Sequence, residues 1–381
     1  MEHLFSGLWL NFIRVVRPER RVSRKGKALN QAKRLSIPVD LIRTVAIIGV
    51  IVLHATRDAT SFQPDAPFEI WRWWFVDVYQ SLSRAGVPLF VMLTGALLLQ
   101  PFKEGEPLRV FFKKRWVRIG LPFLFWGAAY FAWDFFVKHE AFTPSFILQG
   151  VLSGPYFHFW YLYMLVGLYL LTPILRVLVA HAERRVLGLF LAVWFLGILL
   201  PFFALFSSYS LDSNVLTVPF WVGYFLLGIY LLDVRVRRSV LWGSLFVGFL
   251  LTVIGTYAIA ATIGGPITYF FQGYFSPTMI LAAIMLFLLL NRVQVPSGQG
   301  LVGHPRLGRL LSLISENTLA IYLFHVMVIE SLQLGFFGFT LSSNTLNSIV
   351  EVPLISVITL FICLGVIVPL KKIPVVKRLI G

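Results

Sequence analysis

The chain has 381 residues, of which 58% are hydrophobic and only 13% are charged. Soluble domains carry roughly 25% charged residues, so this composition excludes an ordinary soluble enzyme, a disordered chain and a disulfide-rich secreted chain. The net charge of +16 suits a nucleic acid partner or an anionic membrane surface, and the positions of the basic residues decide between these two.

Long apolar runs predict ten membrane-spanning helices, and hence an all-α integral membrane protein. A bilayer core about 30 Å thick needs roughly 17–25 apolar residues per helix, because each helical residue rises about 1.5 Å. In chain order, the predicted spans cover residues 39–56, 86–100, 116–137, 159–180, 186–206, 217–233, 239–263, 275–291, 316–336 and 348–370. The second is short, and the aromatic stretch before it, with Trp71, Trp73 and Trp74, is interpreted as an interfacial helix leading into it.

We expect two parts in the chain. Residues 1–35 form a basic cytoplasmic tail, in which an apolar run too short to span the bilayer is followed by arginines and lysines. Because no small-residue cleavage site follows that run, we do not interpret it as a signal peptide. Residues 36–381 form a single domain of ten helices.

The basic residues are distributed unequally between the two sides of this predicted topology. With the N-terminus in the cytoplasm, 29 of the 33 Lys and Arg residues lie in cytoplasmic segments or just inside the first span. The remaining four, on the outer side, are Arg57, Arg72, Arg84 and Lys138. Cytoplasmic enrichment of Lys and Arg sets the orientation of membrane proteins, so we expect both termini in the cytoplasm and exclude a nucleic acid partner.

The first span carries three ionisable residues, Asp40, Arg43 and His54. Ionisable side chains within a membrane are costly, so each one is a candidate functional residue. Arg43 and His54 are eleven residues apart, which puts them on one helix face, Arg43 near the cytoplasmic surface and His54 in the outer half. The alternative for Arg43 is an interfacial arginine that snorkels or pairs with Asp40, and the alternative for His54 is a helix-packing histidine bonded to a neighbour.

The third span begins with a basic cluster. Arg115 and Arg118 share a helix face, and Lys114 lies beside it. A pair of guanidinium groups at the inner surface suits the phosphates of a ligand, because each presents a planar fork of donors. The alternative is an anchor for anionic lipid headgroups.

The ninth span contains Tyr322 and His325 on one face, with Glu330 pointing away from His325. For His325 we favour a structural role in bonding a neighbouring helix. Glu330 is expected to face another helix or a water-filled cavity.

Further acidic and histidine residues fall near the predicted outer ends of the spans. Asp134, His158 and Glu351 could ring an outward-facing cavity together with His54 and Glu330. For His158 and Glu351 an interfacial position is the stronger interpretation. The single cysteine, Cys363, lies in an apolar run, which excludes an intrachain disulfide framework and a cysteine-based metal site.

Several segments together resemble the membrane acyltransferase-3 family over about residues 36–370. They are the Arg43–His54 spacing, the segment Gly86 to Gly95, the pair Arg115 and Arg118, the segment Phe159 to Tyr163 and the segment Tyr322 to His325. None of these motifs alone is specific to the family, but their order along ten predicted spans makes the resemblance strong. Thr94 departs from the family, which commonly has serine there, and it keeps the hydroxyl group. The chain is most similar to stand-alone members without a fused extracytoplasmic domain.

The resemblance implies an O-acyltransferase of the bacterial inner membrane that uses acetyl-CoA or another short acyl-CoA, without a metal. The acceptor would be a hydroxyl of an extracytoplasmic glycan, such as a surface polysaccharide, or of a lipid-linked sugar. Arg43, Arg115 and Arg118 would bind CoA, a polyanion, and His54 would be catalytic, as a general base or as a transiently acylated group. Asp134 or Glu330 would orient or charge the imidazole.

A secondary transporter or a lipid-linked-sugar flippase is the alternative function. Such proteins also have about ten spans, with intramembrane His, Asp and Glu residues. Two observations count against this alternative. The sequence has no two similar halves, and the acidic residues fall near the outer ends of the spans rather than at their middle.

Overall fold

A computed structural model describes residues 38–56, 67–206, 220–293, 305–342 and 348–381. Its α-helices, in chain order, are α1 (Val39–Ala55), α2 (Pro67–Ser83), α3 (Gly86–Leu98), α4 (Leu108–Arg115), α5 (Leu121–Phe136), α6 (Pro144–Ser153), α7 (Trp160–His181), α8 (Arg184–Phe206), α9 (Phe220–Tyr230), α10 (Arg238–Thr262), α11 (Pro277–Asn291), α12 (Pro305–Gln333), α13 (Ser348–Leu370) and α14 (Pro374–Ile380). The expected tail, residues 1–35, lies outside the described residues.

The expectation of an all-α membrane protein is confirmed. Six helical stretches of the described residues are long and apolar enough to cross a membrane, namely Ile70–Leu98, Leu108–Phe136, Pro144–His181, Arg238–Thr262, Arg306–Gln333 and Ser348–Leu370. Each of the ten predicted spans coincides with a helix, but α9 and α11 are shorter apolar helices and α1 has only 17 residues. The number of ten spans and the sides of the termini therefore stay predictions.

Helix α1 lies at the centre of the bundle and packs against α2, α3, α12 and α13. Its side chains Ile42, Ala46, Ile47 and Val50 are all buried, as the unbroken apolar sequence of this segment predicts. Helices α1 and α12 run in the same direction. Near their starts Ser312 donates a hydrogen bond to the Asp40 carboxylate (2.6 Å), and near their ends the rings of His54 and His325 are in contact.

Helices α3 and α9 cross with their backbones in direct contact. A Cβ atom added to Gly95 would lie 1.8 Å from the carbonyl oxygen of Phe225, and one added to Gly228 would lie 1.8 Å from that of Met92. Only glycine fits at either position. Small residues let membrane helices approach closely, and the approach fixes α3 against the rest of the bundle.

Helix α2 differs from the interfacial helix expected at the tryptophan-rich segment. Only two residues separate it from α3, and it packs against α1, α10 and α13. Trp73 is buried while Trp71 is exposed, and the buried Asp77 accepts a hydrogen bond from Gln272 (2.6 Å). Its polar residues lower the mean hydropathy, and the segment between α10 and α11 supplies the hydrogen-bond partner of the buried Asp77.

Candidate active site

The two ends of α1 face two different cavities. Arg43 lines a cavity of about 370 Å³, which we call the arginine cavity, and His54 lines one of about 500 Å³, which we call the histidine cavity. The eleven-residue separation corresponds to about 16 Å along the helix axis. One helix therefore presents a cation to one cavity and an imidazole to the other.

The arginine cavity brings together the three arginines that the sequence singles out. Arg43, Arg115 and Arg118 line it, joined by Lys103, by the acidic side chain of Glu316 and by the last residue, Gly381. Thr94 also lines it, and its hydroxyl donates to the carbonyl of Phe90 on the same helix (2.7 Å). A wall in which four cationic side chains outnumber the acidic groups is suited to an anion.

Aromatic rings and an unusual turn hold the arginine pair. The Arg115 guanidinium carbon lies 5.4 Å from the Phe111 ring centroid and 5.6 Å from that of Tyr169. The chain then forms a single π-helical stretch, Trp116–Gly120, which contains Arg118 and leads into α5. Such wide turns recur at functional sites, and this one lies at the arginine cavity.

The histidine cavity contains the two carboxylates predicted to assist His54. Asp134 and Glu330 both line it, together with Lys138 and Tyr156. Lys138 pairs with both carboxylates, at 3.5 Å from Asp134 Oδ1 and 3.2 Å from Glu330 Oε1. Glu330 also accepts hydrogen bonds from Trp133 Nε1 (2.8 Å) and the Tyr156 hydroxyl. A carboxylate pair bridged by one ammonium group thus faces the same space as the imidazole.

Two rings flank the imidazole of His54. Its centroid lies 5.2 Å from that of Phe157 and 5.1 Å from that of His325. The carboxylates share its cavity, and a direct partnership of either with His54 stays a prediction.

A buried layer of rings separates the two cavities. On α12, Tyr322 lines the arginine cavity, and Val326 and Ile329 line the histidine cavity. His325 lies between them, fully buried, 5.7 Å from the Tyr322 ring and 5.6 Å from the His158 ring. A carbonyl oxygen only accepts, so His325 Nδ1, 2.6 Å from the carbonyl of Tyr322, is the donor. This intrahelical bond differs from the interhelical bond expected of His325, and the ring also contacts His54.

His158 and Glu351 are both buried within the protein, and the interfacial position expected for them stays a prediction. His158 is fully buried, because the 3₁₀ turn Phe157–Phe159 folds inward and packs it against the rings of Tyr130 and Tyr322. Glu351 is buried on α13, which packs against α1, α2 and α12. Neither residue lines the histidine cavity, so the expected ring of five residues is reduced to His54, Asp134 and Glu330.

Sequence reasoning did not assign three residues to these sites. Lys138 and Tyr156 contact Glu330 from distant parts of the chain, and no local pattern predicts such a contact. Lys103 was noticed only as one of the cytoplasmic charges. Among the described residues, no group of three or more His, Cys, Asp or Glu could hold a metal ion.

Comparison with known proteins gives one finding. A family model described as an acyltransferase domain, that of the acyltransferase-3 family, matches residues 37–368. No curated protein and no solved structure matches the chain.

Proposed function

Since the chain belongs to the acyltransferase-3 family and is a membrane acyltransferase, we propose that it transfers an acetyl or other short acyl group from acyl-CoA to a hydroxyl. The acceptor is a glycan or a lipid-linked sugar on the outer side of a bacterial inner membrane. The pair of cavities at opposite ends of α1 and α12, separated by one layer of rings, is the observation that carries this proposal. Each substrate approaches the reaction from its own side.

The arginine cavity is the donor side of this proposal. CoA carries a pyrophosphate and a ribose phosphate, and guanidinium groups bind phosphate through paired, charge-assisted hydrogen bonds. Arg43, Arg115 and Arg118, with Lys103, supply four cations in one wall, a donor set that fits such a ligand. The thioester then points toward Tyr322, the residue where the arginine cavity meets the buried rings.

The histidine cavity is the acceptor side, with His54 as the general base. A neutral imidazole accepts the proton of a hydroxyl group as the hydroxyl oxygen attacks. The hydroxyl oxygen bonds to the thioester carbonyl carbon, the carbon–sulfur bond breaks, and the imidazolium returns the proton to the departing thiolate. In the second route, an imidazole nitrogen bonds to the thioester carbonyl carbon, and the thiol of CoA leaves with the ring proton. The acceptor hydroxyl then bonds to the acyl carbon, the carbon–nitrogen bond breaks, and the hydroxyl proton returns to the imidazole.

The carboxylates support the imidazole in either route. Glu330 and Asp134 add negative charge to the cavity in which His54 becomes imidazolium, and this stabilises the charged ring. Lys138 pairs with both carboxylates, and its positive charge reduces the repulsion between them.

The test follows the label from radiolabelled acetyl-CoA incubated with the purified protein and candidate glycan acceptors. We expect label on the acceptor, and label on the protein or in free acetate if an acylated histidine forms. His54→Ala is expected to lose about 10²–10⁴-fold in rate, the usual contribution of a general base.

The control is His181→Ala, which removes an exposed histidine at the end of α7 and is expected to keep the rate. A normally inserted His54→Ala variant with the wild-type rate would contradict the catalytic assignment. If all label stays in intact acetyl-CoA, the proposal fails and transport becomes the better explanation. Comparing surface glycans of cells with and without the gene identifies the acceptor.

A further inference from the structure

A second basic cavity, of about 530 Å³, adjoins the arginine cavity. We name it the second basic cavity; Leu98, Lys103, Gly105, Glu106, Lys114, Arg115 and Arg176 line it. Leu98, Lys103 and Arg115 line the arginine cavity as well. The two cavities therefore share a wall, and an elongated ligand can extend from one into the other.

Arg176 builds the floor of this cavity. It is only 3% exposed, and its Nε donates to the carbonyl of Leu98 (2.8 Å). Its Nη1 donates to the carbonyl of Lys103 (3.2 Å) and to Glu106 Oε2 (2.9 Å). One buried guanidinium thus holds the end of α3 and the following segment in place. These hydrogen bonds offset the free-energy cost of removing the charged group from water.

The cavity has an excess of positive charge. Lys103, Lys114, Arg115 and Arg176 face a single carboxylate, Glu106. Lys114 Nζ lies 2.7 Å from Glu106, and the hydrogen bonds from Lys114 and Arg176 hold the pKa of this carboxyl group below its usual range. One ionised carboxylate neutralises one of four cations, so an anion is attracted to the rest.

We propose that the second basic cavity binds the phosphorylated ribose of acyl-CoA, while the arginine cavity binds the pyrophosphate. This inference rests on the proposed function. CoA carries two separate phosphate groups, and the chain presents two separate clusters of cations that meet at Arg115. A lipid headgroup with one phosphodiester needs only one of these clusters.

The experiment compares CoA with 3′-dephospho-CoA, which lacks only the phosphate on the ribose. Both are titrated calorimetrically into the purified full-length protein in detergent. We expect the wild type to prefer CoA by about tenfold, the effect of one charge-assisted contact. Lys114→Ala is expected to reduce that preference to about threefold or less. The side chain of Lys114 is 58% exposed, so its removal leaves the fold intact.

Two controls make the comparison specific. Lys113→Ala removes the same charge from the neighbouring exposed position of α4, outside both cavities, and is expected to keep the preference. Arg118 lines the arginine cavity but not the second basic cavity. Arg118→Ala is therefore expected to weaken the binding of CoA and of 3′-dephospho-CoA by the same factor.

Each contrary outcome has its own meaning. A wild type that binds neither ligand overturns the proposed function and this inference together. A wild type that binds CoA and 3′-dephospho-CoA equally, or a preference that Lys114→Ala leaves intact, overturns only this inference. If that variant keeps the preference but copurifies with less phosphatidylglycerol, the cavity holds a lipid headgroup instead.

Discussion

The His54 imidazole is held between two rings, Phe157 on one side and His325 on the other. Aromatic neighbours at this distance restrict the rotation of the imidazole. A base in such a position can exchange a proton with substrates while its ring stays oriented. The packing of these two rings thus contributes to the orientation of His54.

Glu330 is the carboxylate whose charge we expect to matter most for the rate. Glu330→Gln keeps the shape and an acceptor for Trp133, but removes the charge that stabilises imidazolium. We expect kcat to fall at least about tenfold with the KM for acetyl-CoA unchanged, because the residue lines only the histidine cavity of the two. Steady-state kinetics in detergent measure this, and Glu183→Gln, at an exposed position, is the matched control. If kcat is unchanged, the charge of Glu330 does not contribute to the rate and its role is structural.

For the arginine pair, Arg115 and Arg118, we expect an effect on acetyl-CoA binding instead of an effect on kcat. Arg115→Ala combined with Arg118→Ala is expected to weaken acetyl-CoA binding by about 100-fold, because each lost phosphate contact is worth about tenfold. Calorimetry in detergent checks this. Arg109→Ala, which removes an exposed arginine of α4 outside both cavities, should bind normally. Normal affinity in the double variant would favour a lipid anchor at this position.

At the scale of the helices, the crossing of α3 and α9 is the most sensitive contact. Gly95→Ala puts a methyl group 1.8 Å from a backbone oxygen, and the helices have to separate to admit it. We expect a clear fall in the Tm of the detergent-solubilised protein, corresponding to roughly 1–3 kcal/mol or more. Gly243→Ala in α10 meets nothing within 4 Å and should leave the Tm unchanged or slightly higher. Equal Tm values for the two variants would disprove the close crossing.

Sequence predicted helices well where apolarity alone decides, and less well where packing decides. Every predicted span coincides with a helix, since an apolar run in a bilayer has no other way to satisfy its backbone. The tryptophans of α2 suggest an interfacial helix, whereas its packing in the bundle depends on partners such as Gln272, which lies 195 residues from Asp77. The burial of His158 likewise depends on the rings of Tyr130 and Tyr322 from other parts of the chain. Periodicity along one helix put Arg43 and His54 on one face, but the meeting of Glu330 with Lys138 is a tertiary contact.

For the whole molecule, the distribution of charge predicts which side each cavity faces. We expect Gly105→Cys, at the second basic cavity, to be protected from a membrane-impermeant maleimide in intact cells, and Ala141→Cys, beyond α5, to react. The one native cysteine, Cys363, is buried and gives little background. Reaction of both sites after permeabilisation is the control. Labelling of Gly105→Cys in intact cells would show that the orientation in the membrane is the reverse of the predicted one.

The buried rings between the cavities have an electrical consequence. Tyr322 and His325 are at most 4% exposed, and His325 lies on α12 between the residues that line the arginine cavity and those that line the histidine cavity. A bilayer that contains this protein should remain an insulator. Under the proposed function, acyl transfer between the two cavities would then proceed without a proton leak across the membrane.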